Sequence, residues 1–133
     1  MTSFRAAVES GDLAAVDALL AEDVVFVSPV AFKPYPGKAI TSAILHAVAE
    51  VFQDFRYVRE ISEPGGRDHA YVFEATVDGL AITGCDFVRL NDEGKIIELM
   101  VMVRPLRAAE ALAREMGARF EAIQAAALGA QGA

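Results

Sequence analysis

Residues 70–90 carry the clearest pattern in the chain, an alternation of apolar and polar side chains. In residues 70–77 the apolar set is Tyr71, Phe73, Ala75 and Val77. A period of two is typical of a strand with one buried face. The pair Asp78-Gly79 then predicts a tight turn. Residues 80–90 predict the returning strand, with its even-numbered positions toward the core.

Three further strands are predicted around this hairpin. Residues 24–28 form the first, which Pro29 ends because proline cannot donate to a strand ladder. Residues 55–62 form the second, and residues 95–104 form the last, after a turn at residues 91–94. Residues 32–37 contain two prolines and predict a loop.

Apolar residues recur at helical spacing elsewhere in the chain. Residues 2–10 predict a short helix, and Gly11 suits the left-handed position that ends it. Asp12 is placed to cap a second helix over residues 13–21. Two longer helices are predicted, over residues 38–52 and 106–126.

This order of elements predicts an α+β fold, with a curved antiparallel sheet wrapped around the long helix of residues 38–52 and an added C-terminal helix. A single domain accounts for residues 1–127. Residues 128–133, rich in glycine and alanine, predict a flexible tail.

A conical cavity is expected between the curved sheet and the long helix, and the strand phases identify the side chains that face it. Most of these are apolar, which is the usual profile of a small-molecule site. The expected partner is therefore a small hydrophobic ligand. The candidate ligand-binding residues are Phe26, Ser28, Ile44, Tyr57, Phe73, Ala75, Val88, Leu99 and Val101.

Asp86 is the candidate catalytic residue, because the phase of its strand points a carboxyl group into this apolar interior. A buried, unpaired carboxylate is so costly that the group usually takes up a proton. A neutral acid can donate a hydrogen bond to a ligand, and Tyr57 and Tyr35 are the candidates to pair with it. The alternatives are a structural acid bonded to a tyrosine, or a different strand phase.

Composition excludes several classes of function. A net charge of −7 argues against nucleic acid and against an anionic membrane surface. No apolar run is long enough to span a bilayer. The single cysteine, Cys85, suits a reducing cytosol, so a cytoplasmic location is expected. Two widely separated histidines give little support to a metal site, and no motif implies a cofactor.

The last predicted strand is apolar on both faces. Met100 and Met102 alternate with the inward residues, so they lie on the outer face of the sheet. Such a strand is usually covered on both sides, by the C-terminal helix or by a second subunit. We expect a homodimer through the outer sheet face, with Met100, Met102 and Val72 near the interface.

Four short motifs together resemble the nuclear transport factor 2-like superfamily, and among its members the SnoaL-like proteins and the ketosteroid isomerases. The similarity covers roughly residues 3–120 and implies a cone-shaped, cystatin-like barrel that is often dimeric. The motifs are Ser-Gly-Asp-Leu at 10–13, Phe-Val-Ser-Pro-Val at 26–30, Pro-Gly-Lys-Ala-Ile at 36–40 and Asp-Phe-Val-Arg-Leu-Asn-Asp-Glu-Gly-Lys-Ile at 86–96.

The resemblance also locates the family's catalytic positions. Ser28 occupies the position of the isomerase base, and Phe4 that of its oxyanion-stabilising tyrosine. Asp86 matches the protonated aspartic acid. Since serine cannot abstract a proton unaided, ordinary steroid isomerase activity is not expected. The pattern of limonene epoxide hydrolase is also incomplete. The resemblance places the arginine of that enzyme's site at position 84, and this chain has a glycine there, Gly84.

Two functions stay open at this point. The first is a pocket protein for a hydrophobic or carbonyl-bearing compound, with acid–base chemistry of isomerase, cyclase or lyase type centred on Asp86. The second is a non-catalytic ligand-binding or accessory interaction module that has lost its catalytic base.

Overall fold

The computed structural model describes residues 3–131, which form five helices and one six-stranded sheet. The elements in chain order are α1 (Phe4–Glu9), α2 (Leu13–Leu19), β1 (Leu20–Val27), β2 (Tyr35–Pro36), α3 (Lys38–Val51), β3 (Gln53–Ser62), β4 (Asp68–Val77), β5 (Leu80–Leu90), β6 (Ile96–Arg104), α4 (Leu106–Ala118) and α5 (Phe120–Gln131).

The strands lie in the order β2-β1-β6-β5-β4-β3. All neighbours are antiparallel except β1 and β6, which are parallel. Helix α3 packs on the concave face through the buried side chain of Ile44, in one core cluster with Phe26 and Phe73. The predicted α+β fold, with a curved sheet around a long helix, is confirmed.

The hairpin of β4 and β5 fixes the direction in which the central side chains point. Its register runs without interruption from the pair Asp68 and Arg89 to the pair Val77 and Leu80. Asp78 and Gly79 both have positive φ, 51° and 75°, as a two-residue hairpin turn requires. The even-numbered positions 82–88 of β5 are buried, so the predicted strand phase is confirmed.

The N-terminal boundaries differ from the prediction. The first helix was predicted from Thr2, which lies outside the described residues, and α1 begins at Phe4 behind an N-cap from Ser3. Helix α2 ends at Leu19 rather than at residue 21, because Leu20 is extended and pairs with Ile96 of β6. Strand β1 therefore starts four residues before the predicted residue 24.

Two short features were also missed. The predicted loop over residues 32–37 contains strand β2, in which Tyr35 pairs with Phe26 of β1. The predicted helix over residues 106–126 is two helices that meet at Arg119. The Arg119 guanidinium bonds to the backbone carbonyl and the carboxylate of Glu115, both within the last turn of α4.

Helices α4 and α5 lie on the cavity side of the sheet. Leu112 of α4 packs in a second core cluster with Val51, Ala75 and Ile82. Helix α5 continues to Gln131, so residues 128–131, predicted as tail, belong to its last turn, while residues 132 and 133 lie outside the described residues. None of the helices in the described part of the chain is long and apolar enough to cross a membrane.

Candidate functional site

A cavity of about 810 Å³ lies between the concave face of the sheet and the helices. Its wall is built from every helix and from β1, β2, β3, β5 and β6. The residues of the wall that carry a polar side chain are Ser28, Tyr35, Tyr57 and Asp86. The space is therefore apolar with a few polar groups, as in most small-molecule sites.

The candidate residues chosen from the sequence divide into two groups. The structure places one group on the cavity wall: Phe26, Ser28, Ile44, Tyr57, Asp86, Leu99 and Val101. Phe73, Ala75 and Val88 are buried, but they lie in the packed core and do not line the cavity.

Phe73 is kept from the cavity by its neighbours. Its ring lies over Gly84, where a Cβ atom would come within 2.2 Å of Phe73 Cζ. The rings of Phe52 and Phe55 pack on it with centroid distances of 5.3 and 4.9 Å. Ala75 is covered by the cluster that includes Leu112 of α4.

Asp86 lies on β5 with only 8% of its surface exposed. The Tyr57 hydroxyl donates a hydrogen bond to Asp86 Oδ2 at 2.7 Å, which confirms the predicted pairing with a tyrosine. Within residues 3–131 this is the one side-chain hydrogen bond of the carboxyl group. Tyr35, the other candidate partner, instead lies against the ring of Phe120, 5.9 Å away.

Burial dominates the electrostatics of this pair. It raises the pKa of Asp86 to about 7, while the hydrogen bond from Tyr57 acts in the opposite direction by stabilising the carboxylate. Burial, and then the charge of Asp86, raises the pKa of Tyr57, so the phenol keeps its proton. Asp86 is therefore a group that exchanges its proton near neutral pH, beside a hydroxyl that does not.

The two other positions implied by the resemblance hold neither a carboxylate nor a phenol. Ser28 Oγ accepts hydrogen bonds from the backbone N–H groups of Val30 and Ala31, both at 3.1 Å, and so shapes the loop after β1. Phe4 is buried, and its ring packs against Tyr71 at 5.7 Å. Neither side chain can serve as a base.

A large part of the wall was not identified from the sequence. Helices α4 and α5 contribute Leu112, Ala113, Met116, Gly117, Phe120 and Ile123. The spacing of the larger residues in this group is that of one helical face, and this signal was available. The sequence prediction enclosed the cavity with only the sheet and the long helix, and it therefore did not include this helical face.

The chain offers no evident metal centre near the cavity. Across residues 3–131, no three His, Cys, Asp or Glu side chains lie close enough to share a metal ion. Cys85 follows Gly84 on β5 and points to the outer face, and burial raises the pKa of its thiol. The ionisable side chains that the structure places on the cavity wall are Asp86, Tyr57 and Tyr35.

The structure is similar to several solved bacterial proteins. A steroid delta-isomerase from Pseudomonas aeruginosa is 40% identical, with a TM-score of 0.83 over 90% of this chain and 88% of that one. An uncharacterized protein with a cystatin-like fold from Silicibacter pomeroyi is 36% identical, with a TM-score of 0.81 over 92% of this chain and 90% of that one. A cystatin-like protein from Xanthomonas campestris is 23% identical over 82% of this chain and 91% of that one, and its TM-score of 0.66 shows the fold alone.

No curated protein sequence matches the chain. The sequence model of the SnoaL-like domain matches residues 1–99, which is more than half of the chain and includes Tyr57 and Asp86. Together with the identity to the two closer structures, this match establishes that the chain belongs to the SnoaL-like domain family of the nuclear transport factor 2-like superfamily.

Proposed function

We propose that the protein binds an uncharged, mainly hydrophobic compound in the cavity and that a carbonyl oxygen of the compound meets Asp86. The observation that carries this proposal is that, among residues 3–131, Asp86 is the only carboxyl group on the wall of a mainly apolar space. The cavity of about 810 Å³ lies within the range of ligand pockets, roughly 300–1,000 Å³. An anionic ligand would lose its hydration there without gaining a partner, because the described wall carries no Lys, Arg or His side chain.

The proposed chemistry is acid–base catalysis of isomerase, cyclase or lyase type. Near neutral pH both forms of Asp86 are populated, because its pKa is about 7. The protonated form donates to the carbonyl oxygen of the ligand. The ionised form instead takes a proton from a carbon next to the carbonyl, which leaves an enolate, and the acid formed in that step returns the proton to another carbon. Tyr57 stabilises the carboxylate through Oδ2, so the other oxygen is available for the ligand.

The similarity to a steroid delta-isomerase supports this class of reaction, because such an isomerisation moves a proton beside a ketone. A steroid ketone is accordingly a reasonable compound to test. The serine at position 28 and the phenylalanine at position 4 favour the second candidate, a binding protein without chemistry.

Binding is tested with prodan, an uncharged naphthyl ketone whose fluorescence rises in apolar sites. We expect wild-type protein to bind it most tightly when Asp86 is protonated, with affinity falling as pH increases through about 7. The Asp86→Asn variant should show no such dependence. The other ionisable side chains that the structure places on the wall are the phenols of Tyr35 and Tyr57, and burial raises the pKa of Tyr57 above its ordinary value.

Glu74→Gln is the matched control, because Glu74 lies on the opposite face of the sheet in an exposed pair with Arg56. A pH dependence that survives in Asp86→Asn, or a failure of the wild type to bind prodan, contradicts the proposal.

Catalysis is then separated from binding by hydrogen–deuterium exchange at the acidic carbon of β-tetralone. Exchange that requires Asp86 supports the enzyme, and binding without exchange supports the binding protein.

We also propose that the protein is a homodimer through the outer face of the sheet. The register places two apolar rows side by side there, one through Ala70, Phe87 and Met100 and one through Val72, Cys85 and Met102. These six residues are called the outer patch below. Met102 is 54% exposed and Phe87 is 37% exposed, so the C-terminal helices do not cover the patch.

Charged pairs flank the outer patch on both sides. Arg56 and Glu74 lie beyond one row at 3.0 Å, and Arg89 and Asp68 beyond the other at 2.9 Å. Since these four charges are already paired within the chain, a second copy could bury the apolar rows without leaving any of the four unpaired.

The cytoplasmic location stays a prediction from the sequence.

A further inference from the structure

The walls of the cavity differ in how tightly they are closed. Near Asp86 the wall is made of large buried side chains, among them Tyr57, Phe26 and Leu99. Helices α3 and α4 also contribute three small wall residues, Ala49, Ala113 and Gly117, and all three are exposed although they line the cavity. We call these three residues the α3–α4 gap.

Gly117 shows how much room the gap contains. A Cβ atom added at this glycine would have no heavy atom within 4 Å, and its backbone is helical without a positive φ. The glycine is therefore not required by the backbone. A larger side chain at this wall position would enter open space.

A continuous aromatic surface joins the gap to the carboxyl group. The ring of Tyr57, which bonds to Asp86, lies 5.0 Å from the ring of Phe55. The ring of Phe55 lies 5.7 Å from that of Phe52, at the C-terminal end of α3, one turn from Ala49. A long apolar ligand whose carbonyl meets Asp86 can follow these rings toward the gap.

We infer that the α3–α4 gap receives the far end of the ligand and that Ala49, Ala113 and Gly117 set the length of ligand that the protein accepts. The inference rests on the proposed function, since it takes Asp86 as the point that holds the carbonyl. It adds the residues that select among such ligands. These residues lie on helices, away from the sheet that carries Tyr57 and Asp86.

The test uses phenyl alkyl ketones of increasing chain length, which displace prodan from the protein. For the wild type, each added methylene that becomes buried should tighten binding by about fourfold, until the chain emerges into water. In Gly117→Leu the gain should end at a shorter chain, and the longest ketones should bind at least tenfold more weakly than to the wild type. Ala49→Leu, which enlarges a wall residue on α3, should shorten the limit in the same way.

Gly129→Leu is the matched control, because Gly129 is also helical with no atom within 4 Å of an added Cβ but lies outside the cavity wall. It should leave the chain-length limit unchanged. If Gly117→Leu and Ala49→Leu keep the wild-type limit while the pH dependence through Asp86 persists, the gap inference is wrong and the proposed function stands. If the wild type binds none of these ketones, both are overturned.

Discussion

The Tyr57 hydroxyl lies 2.7 Å from Oδ2 of Asp86, although strand β4 separates the two residues in the sheet. Tyr57 pairs with Phe73 on β4, and Asp86 pairs with Tyr71 on the same strand. The tyrosine side chain therefore reaches diagonally across β4 to meet the acid. This contact holds one carboxyl oxygen in place and leaves the other toward the cavity.

Asp86 should make the stability of the protein depend on pH. Its pKa is raised from 3.8 to about 7 in the folded state, so folding favours the protonated form. The corresponding stabilisation is complete below the unfolded pKa and is lost as pH rises through about 7. A shift of this size corresponds to about 4 kcal/mol.

The measurement is urea unfolding of wild type and Asp86→Asn across this pH range. The wild type should lose free energy of unfolding relative to the variant as pH increases, whereas Glu74→Gln should run parallel to the wild type. Equal pH profiles for wild type and Asp86→Asn would show that Asp86 is solvated and carries an ordinary pKa.

Removing the Tyr57 hydroxyl should raise the pKa of Asp86 above about 7, because the hydrogen bond favours the ionised form. Carboxyl-resolved NMR of Tyr57→Phe measures this directly. Tyr71→Phe is the control, since Tyr71 is also buried but makes no hydrogen bond to Asp86. A pKa that falls in Tyr57→Phe would mean that the phenol does not donate to the carboxylate.

The inward orientation of Asp86 could be predicted because two independent patterns agree. The period of two gives the faces of β4, and the Asp78-Gly79 turn fixes how β5 pairs with it. A slip of one residue would turn every side chain to the other face, so a firm register determines the position of Asp86. The pairing with Tyr57 was not fixed in this way, because Tyr57 lies on β3, beyond β4, and Tyr35 was also a candidate partner.

The choice of Phe73, Ala75 and Val88 as ligand contacts shows the limit of the same pattern. Strand periodicity tells which side of the sheet a residue faces, but not what covers it there. Phe73 occupies the space over Gly84, and α4 covers Ala75.

The boundary between α4 and α5 at Arg119 could not be predicted either, because the apolar spacing of one helix continues through it from Met116 to Ile123.

A second carboxylate at position 28 should strengthen proton abstraction. Ser28 lines the cavity, and an aspartate there could accept the same N–H bonds from Val30 and Ala31. A positioned base contributes on the order of 10²–10⁴-fold. We expect Ser28→Asp to exchange the acidic proton of β-tetralone at least ~10²-fold faster than the wild type.

Ser28→Asn is the control for this gain, because it keeps the acceptor for the turn but adds no base. The two variants should fold equally well and differ only in exchange. If both exchange at the wild-type rate, position 28 does not face the reacting carbon of the bound ketone.

Gly84→Ala should destabilise the fold, because the added methyl group would meet Phe73 Cζ at 2.2 Å and the Met102 carbonyl oxygen at 2.9 Å. Overpacking of this kind costs about 1–3 kcal/mol. Gly117→Ala, in open space on a helix, should instead stabilise by roughly 0.5–1 kcal/mol. Urea unfolding distinguishes the two, and an unchanged stability for Gly84→Ala would mean that the Phe73 ring moves freely.

Met102→Glu should convert the proposed dimer into a single chain. The substitution places a charge within the outer patch, where Met102 is 54% exposed. Sedimentation at micromolar concentration should give the mass of two chains for the wild type and of one chain for the variant. Leu106→Glu, at an exposed apolar position outside the patch, should remain dimeric. A wild-type mass of one chain would disprove the interface.

The position of α4 and α5 has a consequence for how relatives of this protein can diverge. The family match ends at residue 99, before Leu106 begins α4, yet both helices form part of the cavity wall. Residues 106–131 therefore line the cavity from outside the segment that the family model describes. If these helices are replaced by those of a homologue, the ligand preference should change while the pair of Tyr57 and Asp86 stays the same.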